Sequence, residues 1–350
     1  MSIIHRRIQI ALSFIKEYPG DIPFSIYIKK IFKQNKNWGS KDRKFYREIS
    51  YLYWKTAHQI DDLNDSNTID FLINKLEDPE ELKTSPYEKF NLELSAGIDN
   101  TILKEWFLPQ APTFLYHLNS IGEIKNGERT DIDNCIAFKA DTNLETYIES
   151  GAGIIQDWSS TASIKFLLEK MQPNSIWETC AGAGGKSILL SYLLNNKKHI
   201  ASDIRKSIIN NLKNRFALLD IPHPETQIID LSKADSISKI PATEIVIADM
   251  PCSGSGTWRR TPERLSFSNK SEILNYSVRQ LRYLQNIANN HSHSFIYYMT
   301  CSIFRAENED VVDKFLNTNS NYSVEWQNHF HTSHFGGSDF IYGCLIKRVD

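Results

Sequence analysis

The sequence predicts a mostly parallel, doubly wound α/β sheet over residues 156–350, preceded by an all-helical segment over 1–105 and a small α+β unit over 106–155. Three observations carry this reading. From Gln156 onward, short apolar runs rich in β-branched residues alternate with stretches of helical periodicity, the pattern of strands joined by crossover helices. Several of those runs stop at an acid or a thiol beside glycine or proline, as at Glu244 to Arg260. The first hundred residues repeat their apolar side chains at helical spacing instead.

In the helical segment, Ile3, Ile4, Ile8, Leu12 and Ile15 mark one helix, which Pro19-Gly20 ends. Phe24, Ile28, Ile31 and Phe32 mark a second, broken at Trp38-Gly39-Ser40. Phe45, Ile49, Leu52 and Tyr53 mark a third, with Ser40 or Asp42 as candidate N-cap. These stripes are core, and no catalytic constellation accompanies them. In the small unit, Phe114–Tyr116, Ile136–Phe138 and the alternation of Leu144, Tyr147 and Ile148 predict short strands. Turns fall at Gly122, Asn126-Gly127 and Asp131–Asn134, and a boundary near Gly151-Ala152-Gly153. Beyond it the order is helix Thr161–Met171, strand Ser175–Glu178, helix Lys186–Leu194, strand His199–Ser202, helix Lys206–Leu219 and strand Thr226–Ile229. Strand Glu244–Ala248, helix Ser271–Asn289, strand Phe295–Met299 and helix Asn308–Leu316 follow.

Charged residues make up 23% and hydrophobic ones 41%, an ordinary globular balance, and no apolar run approaches the ~18 residues of a membrane span. The N-terminal MSIIHRRIQIALSF lacks a small-residue cleavage site and continues into Lys16 and Glu17, so it reads as a helix rather than a signal peptide. Five cysteines, an odd number with no CxxC spacing, argue against a disulfide framework or a zinc knuckle and suit a reducing cytoplasm. His291-Ser-His293 and His329-Phe-His331 read as surface loops without metal-ligand partners, so no metal is expected. A monomer is the default. The net charge of −2 excludes a basic nucleic-acid coat, yet basic residues outnumber acidic ones roughly threefold from Arg6 to Lys55. The balance reverses after that, through Asp61, Asp62, Asp65, Asp70, Glu77, Asp78, Glu80 and Glu81. Two readings stand: solvated helix faces, or a basic N-terminal face that meets phosphates.

Two motifs bear chemistry. In Glu178-Thr-Cys-Ala-Gly-Ala-Gly-Gly-Lys-Ser187, a glycine turn between strand and helix lets backbone amides approach a ligand. It misses the phosphate-binding P-loop because Cys180 stands where a glycine is needed. Glu178 would repel phosphate but can hold a cationic amino group. Asp203 ends the next strand, 19 residues after Gly184, which fits an adenosyl ligand whose ribose hydroxyls bond a carboxylate. Asp230 and Asp249 end two more strands, so four acids are expected around one crevice, a costly arrangement unless something uses them. A plain structural turn is the alternative for the glycine loop taken alone. The second motif is a pair of thiols, Cys252 in Pro251-Cys-Ser253 and Cys301 in Met299-Thr-Cys-Ser302, on strands that can be neighbours. Both sulfurs are expected to open onto one crevice, with a thiol pKa lowered near a helix N-terminus. Cys135 and Cys344 lie in apolar runs and are assigned to packing.

With these residues in view, the sequence resembles the RsmB/Nop/Sun family of RNA cytosine-carbon-5 methyltransferases, which use S-adenosylmethionine. The resemblance rests on Gln156-Asp157, CAGAGGKS, Asp203-Ile-Arg205, DMPCSGSGTWRR, and TCS followed by Glu307-Asn308-Glu309. It runs from about residue 150 to the closing strand Asp339–Ile346; the N-terminal half resembles the family's helical RNA-binding extension loosely, and the small unit would be RRM-like. The fold it implies is a Rossmann-like class I methyltransferase domain. Carried onto this sequence, the nucleophile is Cys301, and Cys252 assists breakdown of the covalent adduct. The cofactor loop is Cys180, Ala181, Gly182, Ala183, Gly184, Gly185 and Lys186, with Asp203, Asp230 and Asp249 completing the site. Asp249 would also protonate or hydrogen-bond the base. Ribosomal RNA is the first substrate implied and transfer RNA the second. Two positions depart from the family pattern: Glu178 replaces Asp, and Gly182-Ala183 replaces Ala-Pro, which loosens the loop. Arg259 and Arg260 fit either nearby phosphates or a solvated helix start. The rival readings are a P-loop-like nucleotide hydrolase binding a triphosphate at Lys186, a DNA cytosine methyltransferase using the Pro-Cys thiol, and a non-catalytic RNA-binding assembly factor.

Overall fold

A computed structural model describes residues 2–60, 66–77, 82, 84–119, 126–195 and 197–349. The acids Asp61, Asp62, Asp65, Asp78, Glu80 and Glu81 and the turn at Gly122 lie outside the described residues. The chain divides into two compact units. One comprises Met1–Asn91, Ile98–Pro109 and Thr257–Lys270; the other comprises Leu92–Gly97, Gln110–Gly256 and Ser271–Asp350.

The first unit contains α1 (Ile3–Lys16), α2 (Phe24–Gln34), α3 (Ser40–Thr56), α4 (Ser66–Glu77) and α5 (Asn100–Phe107). The apolar stripes read from the sequence meet in one core of Ile8, Leu12, Ile15, Phe24, Ile28, Ile49 and Trp54. The start of α3 differs from expectation. Gly39, in extended conformation, is its N-cap and gives no side-chain bond. Asp42 sits in the first helical turn, where a carboxylate is favoured, and accepts from Arg7 Nη2 at 2.9 Å. Lys29, Lys30, Lys33, Lys41 and Lys44 are exposed. Arg259 meets neither reading made of it: it is 3% exposed, with its guanidinium 5.8 Å from the Trp106 ring centre. The stem of a long cationic side chain buries readily when an aromatic face takes the charged end.

The second unit begins with a small antiparallel sheet of β1 (Thr113–His117), β2 (Gly127–Arg129), β3 (Cys135–Phe138) and β4 (Gly153–Ile155), in the order β2-β3-β1-β4. Alternation sends Phe114, Tyr116, Cys135 and Ala137 into the main core, and Leu115, Ile136 and Phe138 onto Leu144 on the other face. The strand expected around Tyr147 is instead the short helix α6 (Glu145–Glu149). Asn143 accepts from the Glu145 N–H at 2.9 Å, a local bond that starts a helical turn.

The rest alternates as α7 (Trp158–Lys170), β5 (Ser175–Glu178), α8 (Gly185–Leu194), β6 (Lys198–Asp203), α9 (Lys206–Phe216) and β7 (Glu225–Ile228). Then come α10 (Ala234–Ile237), β8 (Ile245–Asp249), α11 (Glu263–Phe267, in the first unit), α12 (Lys270–Asn290), β9 (Phe295–Thr300), α13 (Glu309–Thr318), β10 (Tyr322–Phe330) and β11 (Ile341–Arg348). Every element expected between Thr161 and Leu316 is present within three residues of its predicted ends. The strands form a seven-membered sheet, β10-β11-β9-β8-β5-β6-β7, parallel from β9 to β7, with β11 antiparallel to both of its neighbours. Chain direction across the sheet reverses between β5 and β8, the switch point at which such sheets open a crevice. No described helix is long and apolar enough to cross a membrane.

The histidines correct the sequence reading. His291 and His293 are 5% and 6% exposed, not on the surface. Their rings lie 5.6 Å apart, between Trp177 against His291 and Tyr322 against His293. His329 lies within β10, an unexpected strand, with Nε2 3.1 Å from Glu309 Oε1, and the His331 ring packs on Phe340. Hairpin pairing with β11 sets His329 opposite Tyr342, with their rings 5.0 Å apart. Burial, helped by His291, pushes the His293 imidazole from 6.5 down to about 4. A depressed histidine gives stability that is fully present above pH 6.5 and lost as pH falls toward 4, about 3 kcal/mol for this shift. The unfolding free energy of a His293→Gln variant is therefore expected to fall less steeply between pH 6.5 and 4 than that of the parent chain. Parallel slopes would remove His293 from that account.

Candidate active site

Five strand ends and one glycine turn build the site. After β5, residues 179–184 turn into α8. Gly182 and Gly184 take φ of +55° and +86°, the left-handed region that favours glycine. A side chain at Gly184 would also strike Leu212, while the space above Gly182 is open. The turn is thus a shallow cradle with its backbone bare at Gly182. Cys180 flanks it, and burial pushes that thiol up to about 12.

The four strand-end acids do not share one fate. Glu178 is 1% exposed, accepts from Ser187 Oγ at 2.5 Å and has His199 Nε2 at 3.3 Å. It is sealed against α8 and β6 and is not available to a ligand, contrary to expectation. Asp203 accepts from the Gly182 N–H at 3.2 Å and from Arg205 N, Nε and Nη2 at 2.9, 3.0 and 3.1 Å. Burial raises its carboxyl, but the Arg205 bonds outweigh burial and hold it below the usual range. Asp230 is held low chiefly by Ser232, which donates from Oγ at 2.6 Å and N at 2.9 Å. Beside Asp230 lies an open hollow of about 540 Å³ lined by Ile204, Ile228, Lys233, Ser236 and Lys239, with Ile204 and Ile228 more than half exposed.

Asp249, at the end of β8, pairs with Lys186 of the glycine motif, Nζ to Oδ2 at 2.7 Å. Burial pulls the Lys186 ammonium down, but the charge and hydrogen bond of Asp249 outweigh it and leave the pKa raised. Lys186 thus faces a carboxylate on the neighbouring strand.

The thiols meet. β8 and β9 are parallel neighbours with Asp249 opposite Met299, so the loops that follow emerge side by side. Cys252 Sγ and Cys301 Sγ are 3.1 Å apart, both partly exposed, and the Gly256 N–H donates to Cys301 O at 2.9 Å. The expected lowering of thiol pKa fails for Cys252. Its hydrogen bond to Cys301, then burial, then the charges of Cys301 and Glu307 push it well above 9. Cys135 and Cys344 are buried in β3 and β11. Among the described residues no cluster of three or more His, Cys, Asp or Glu can hold a metal ion.

Three participants were not singled out from the sequence: Arg205 on Asp203, and Glu307 and Gln280 against the thiol loops. Arg205 and Glu307 stood inside quoted motifs, which was the available signal. Gln280, on α12, carried none.

A sheet of this order, a glycine turn after the strand at its switch point, and acids ending the strands beside it define a Rossmann-like methyltransferase fold. A family model described as "16S rRNA methyltransferase RsmB/F" matches residues 165–339, half of the chain, and the chain belongs to that family. It is 26% identical over 185 residues to the probable ribosomal RNA small subunit methyltransferase B of Coxiella burnetii, covering 51% of this chain and 41% of that one. It is 32% identical over 163 residues to the 25S rRNA (cytosine-C(5))-methyltransferase NSUN5 of Arabidopsis thaliana, covering 42% and 28%. The chain therefore spans less than half the length of these curated relatives. A solved structure titled "Crystal Structure of PH0851" superposes with a TM-score of 0.73 at 18% identity, covering 99% of this chain and 100% of that one, a likeness of fold.

Proposed function

We propose that the chain is an S-adenosylmethionine-dependent methyltransferase that forms 5-methylcytosine in ribosomal RNA. The observation that carries this reading is the thiol pair, with 3.1 Å between Cys252 and Cys301 at the ends of adjacent strands. A P-loop hydrolase has no use for two thiols, and Lys186 is committed to Asp249 rather than open to a triphosphate.

The residues fit the cofactor. Gly182 bares its backbone beside Asp203, an acceptor suited to ribose hydroxyls, and Ile204 and Ile228 offer apolar surface to a nucleobase beside Asp230. Residues Cys180 to Lys186, Asp203 and Asp230 would hold it, and when bound it supplies an electrophilic sulfonium methyl group. Glycine at 182 costs backbone entropy but not the left-handed turn.

The chain's own groups do the rest. Carbon 5 of cytosine is a poor nucleophile until the Cys301 thiolate adds to carbon 6, forming a C–S bond and an enamine. The Lys186–Asp249 pair meets charge developing on the ring. Once carbon 5 carries the methyl group, its proton is lost to a base and the C–S bond breaks. Cys252, held protonated within hydrogen-bonding reach of Cys301, donates to the departing sulfur. The cytosine must be unpaired or flipped out to reach the thiols. In this proposal residues 1–105 form an RNA-binding domain whose exposed lysines meet backbone phosphates, residues 106–155 a small adjoining unit, and 156–350 the catalytic domain. The protein acts as a monomer in a reducing compartment such as the cytoplasm, where its free thiols persist.

The test is methyl transfer from labelled S-adenosylmethionine to unmodified ribosomal RNA, with transfer RNA assayed in parallel and the position mapped by bisulfite sequencing. One or a few methylated cytosines in ribosomal RNA are expected. Transfer confined to transfer RNA would change the substrate, and no transfer to either would sink the reading.

A further inference from the structure

Glu307 is fully buried, six residues after Cys301, and the mechanism above gives it no part. One of its carboxylate oxygens accepts from the Ser253 N–H at 2.8 Å and from Gln280 Nε2 at 3.1 Å. The other accepts from Ser253 Oγ at 2.5 Å and Ser302 Oγ at 2.6 Å. Ser253 directly follows Cys252, and Ser302 directly follows Cys301. Gln280 also donates to the Pro251 carbonyl at 3.0 Å, on the other side of Cys252. One carboxylate therefore grips the residue after each thiol and, through Gln280, the residue before one of them.

A buried carboxylate is costly unless its lone pairs are taken up; here four donors offset part of that cost, although burial still raises the Glu307 carboxyl above the usual range. A carboxylate suits all four partners as they stand, since the Ser253 N–H and Gln280 Nε2 can only donate and the two serine hydroxyls would have to turn round to accept from an amide. The Cys301 loop has further anchors, because Asn308 Nδ2 donates to the Ser302 carbonyl at 2.9 Å and Gly256 N to Cys301 O. Three of these four side-chain hydrogen bonds of Glu307 lie on the Cys252 side. Its charge also helps keep Cys252 protonated.

We propose that Glu307 is a positioning residue that sets the separation of the Cys252 and Cys301 sulfurs, and through it the release of RNA from Cys301. This rests on the cytosine methyltransferase reading. Loosening the Cys252 loop by even an ångström slows the step that needs both sulfurs more than the step that needs only Cys301.

The test uses the full chain with Glu307→Gln, Ser253→Ala and Cys252→Ala variants and unmodified ribosomal RNA. Glu307→Gln should bind S-adenosylmethionine with affinity within roughly twofold of the parent, form the RNA adduct less than about tenfold more slowly, and hold it roughly tenfold or more longer. Equal slowing of formation and release, or no change in either, overturns the proposal. If Glu307→Gln does not bind the cofactor because it fails to fold, Ser253→Ala, which removes one donor and strands no charge, carries the test. Its adduct should persist several-fold longer, and an unchanged lifetime overturns the proposal. Absence of any adduct in Cys252→Ala would instead fell the methyltransferase reading and this inference with it. An adduct there, with an unaltered lifetime in Glu307→Gln, fells this inference alone.

Discussion

Replacing Cys301 with alanine is expected to reduce methyl transfer to RNA by on the order of 10⁴-fold or more, with S-adenosylmethionine affinity kept within roughly twofold. The proposed chemistry has no other way to activate carbon 5, and among the described residues no hydrogen bond of the cofactor loop runs through this sulfur. Cys252→Ala should behave in the opposite sense. Its thiol is pushed well above 9 by the bond to Cys301 and by burial, which suits the proton-donor role proposed for it. Without it, the Cys301 sulfur departs with no donor 3.1 Å away, and the RNA stays attached. A denaturing gel should show a shifted, RNA-bound band for Cys252→Ala and none for Cys301→Ala. If the two variants exchange these behaviours, the nucleophile is the Pro-Cys thiol, and the reading moves to the DNA-methyltransferase arrangement.

The second large effect is expected at the Lys186–Asp249 pair. The two side chains are 16% and 25% exposed, so the 2.7 Å contact is only weakly screened. Asp249→Asn should lower kcat by roughly 10²–10³-fold, the usual size for removing one preorganised charge from a reacting centre. It should also change the pH–rate profile. Asp249 is what keeps the Lys186 pKa raised against burial. With the carboxylate gone, burial is opposed only by the smaller effects of the Cys301 and Glu178 charges, Lys186 loses its proton at lower pH, and activity should fall earlier on the alkaline side. Lys186→Met and the double variant complete a cycle, which should show strong non-additivity because either change breaks the same contact. Additive losses would mean that the two residues act separately.

Much of this was legible in the residues because it is local. Apolar periods of two and 3.6 residues located the strands and helices of the second half. The glycine turn was visible because only certain backbones need glycine at Gly182 and Gly184. The acids and thiols stood out because each ended an apolar run. β10 escaped notice because Glu325, Gln327 and Asn328 are exposed and polar, breaking any alternation, and only its pairing with β11 makes it a strand. The histidine loops looked exposed for a related reason, since nothing local foretells that Trp177 and Tyr322 will close on His291 and His293.

The sequence by itself determined the class of fold, the identity of the chemical groups and the loops that carry them. Tertiary structure alone decided which of those groups meet. Strand order made β8 and β9 neighbours, so that two sulfurs 49 residues apart in the chain lie in contact. It also turned Glu178 inward onto Ser187 and His199, matched Lys186 with Asp249, and gathered four donors around Glu307. The physical reason is that periodicity and propensity act over a few residues, whereas hydrogen bonds and charge pairs depend on distances that exist only once the sheet has chosen its order.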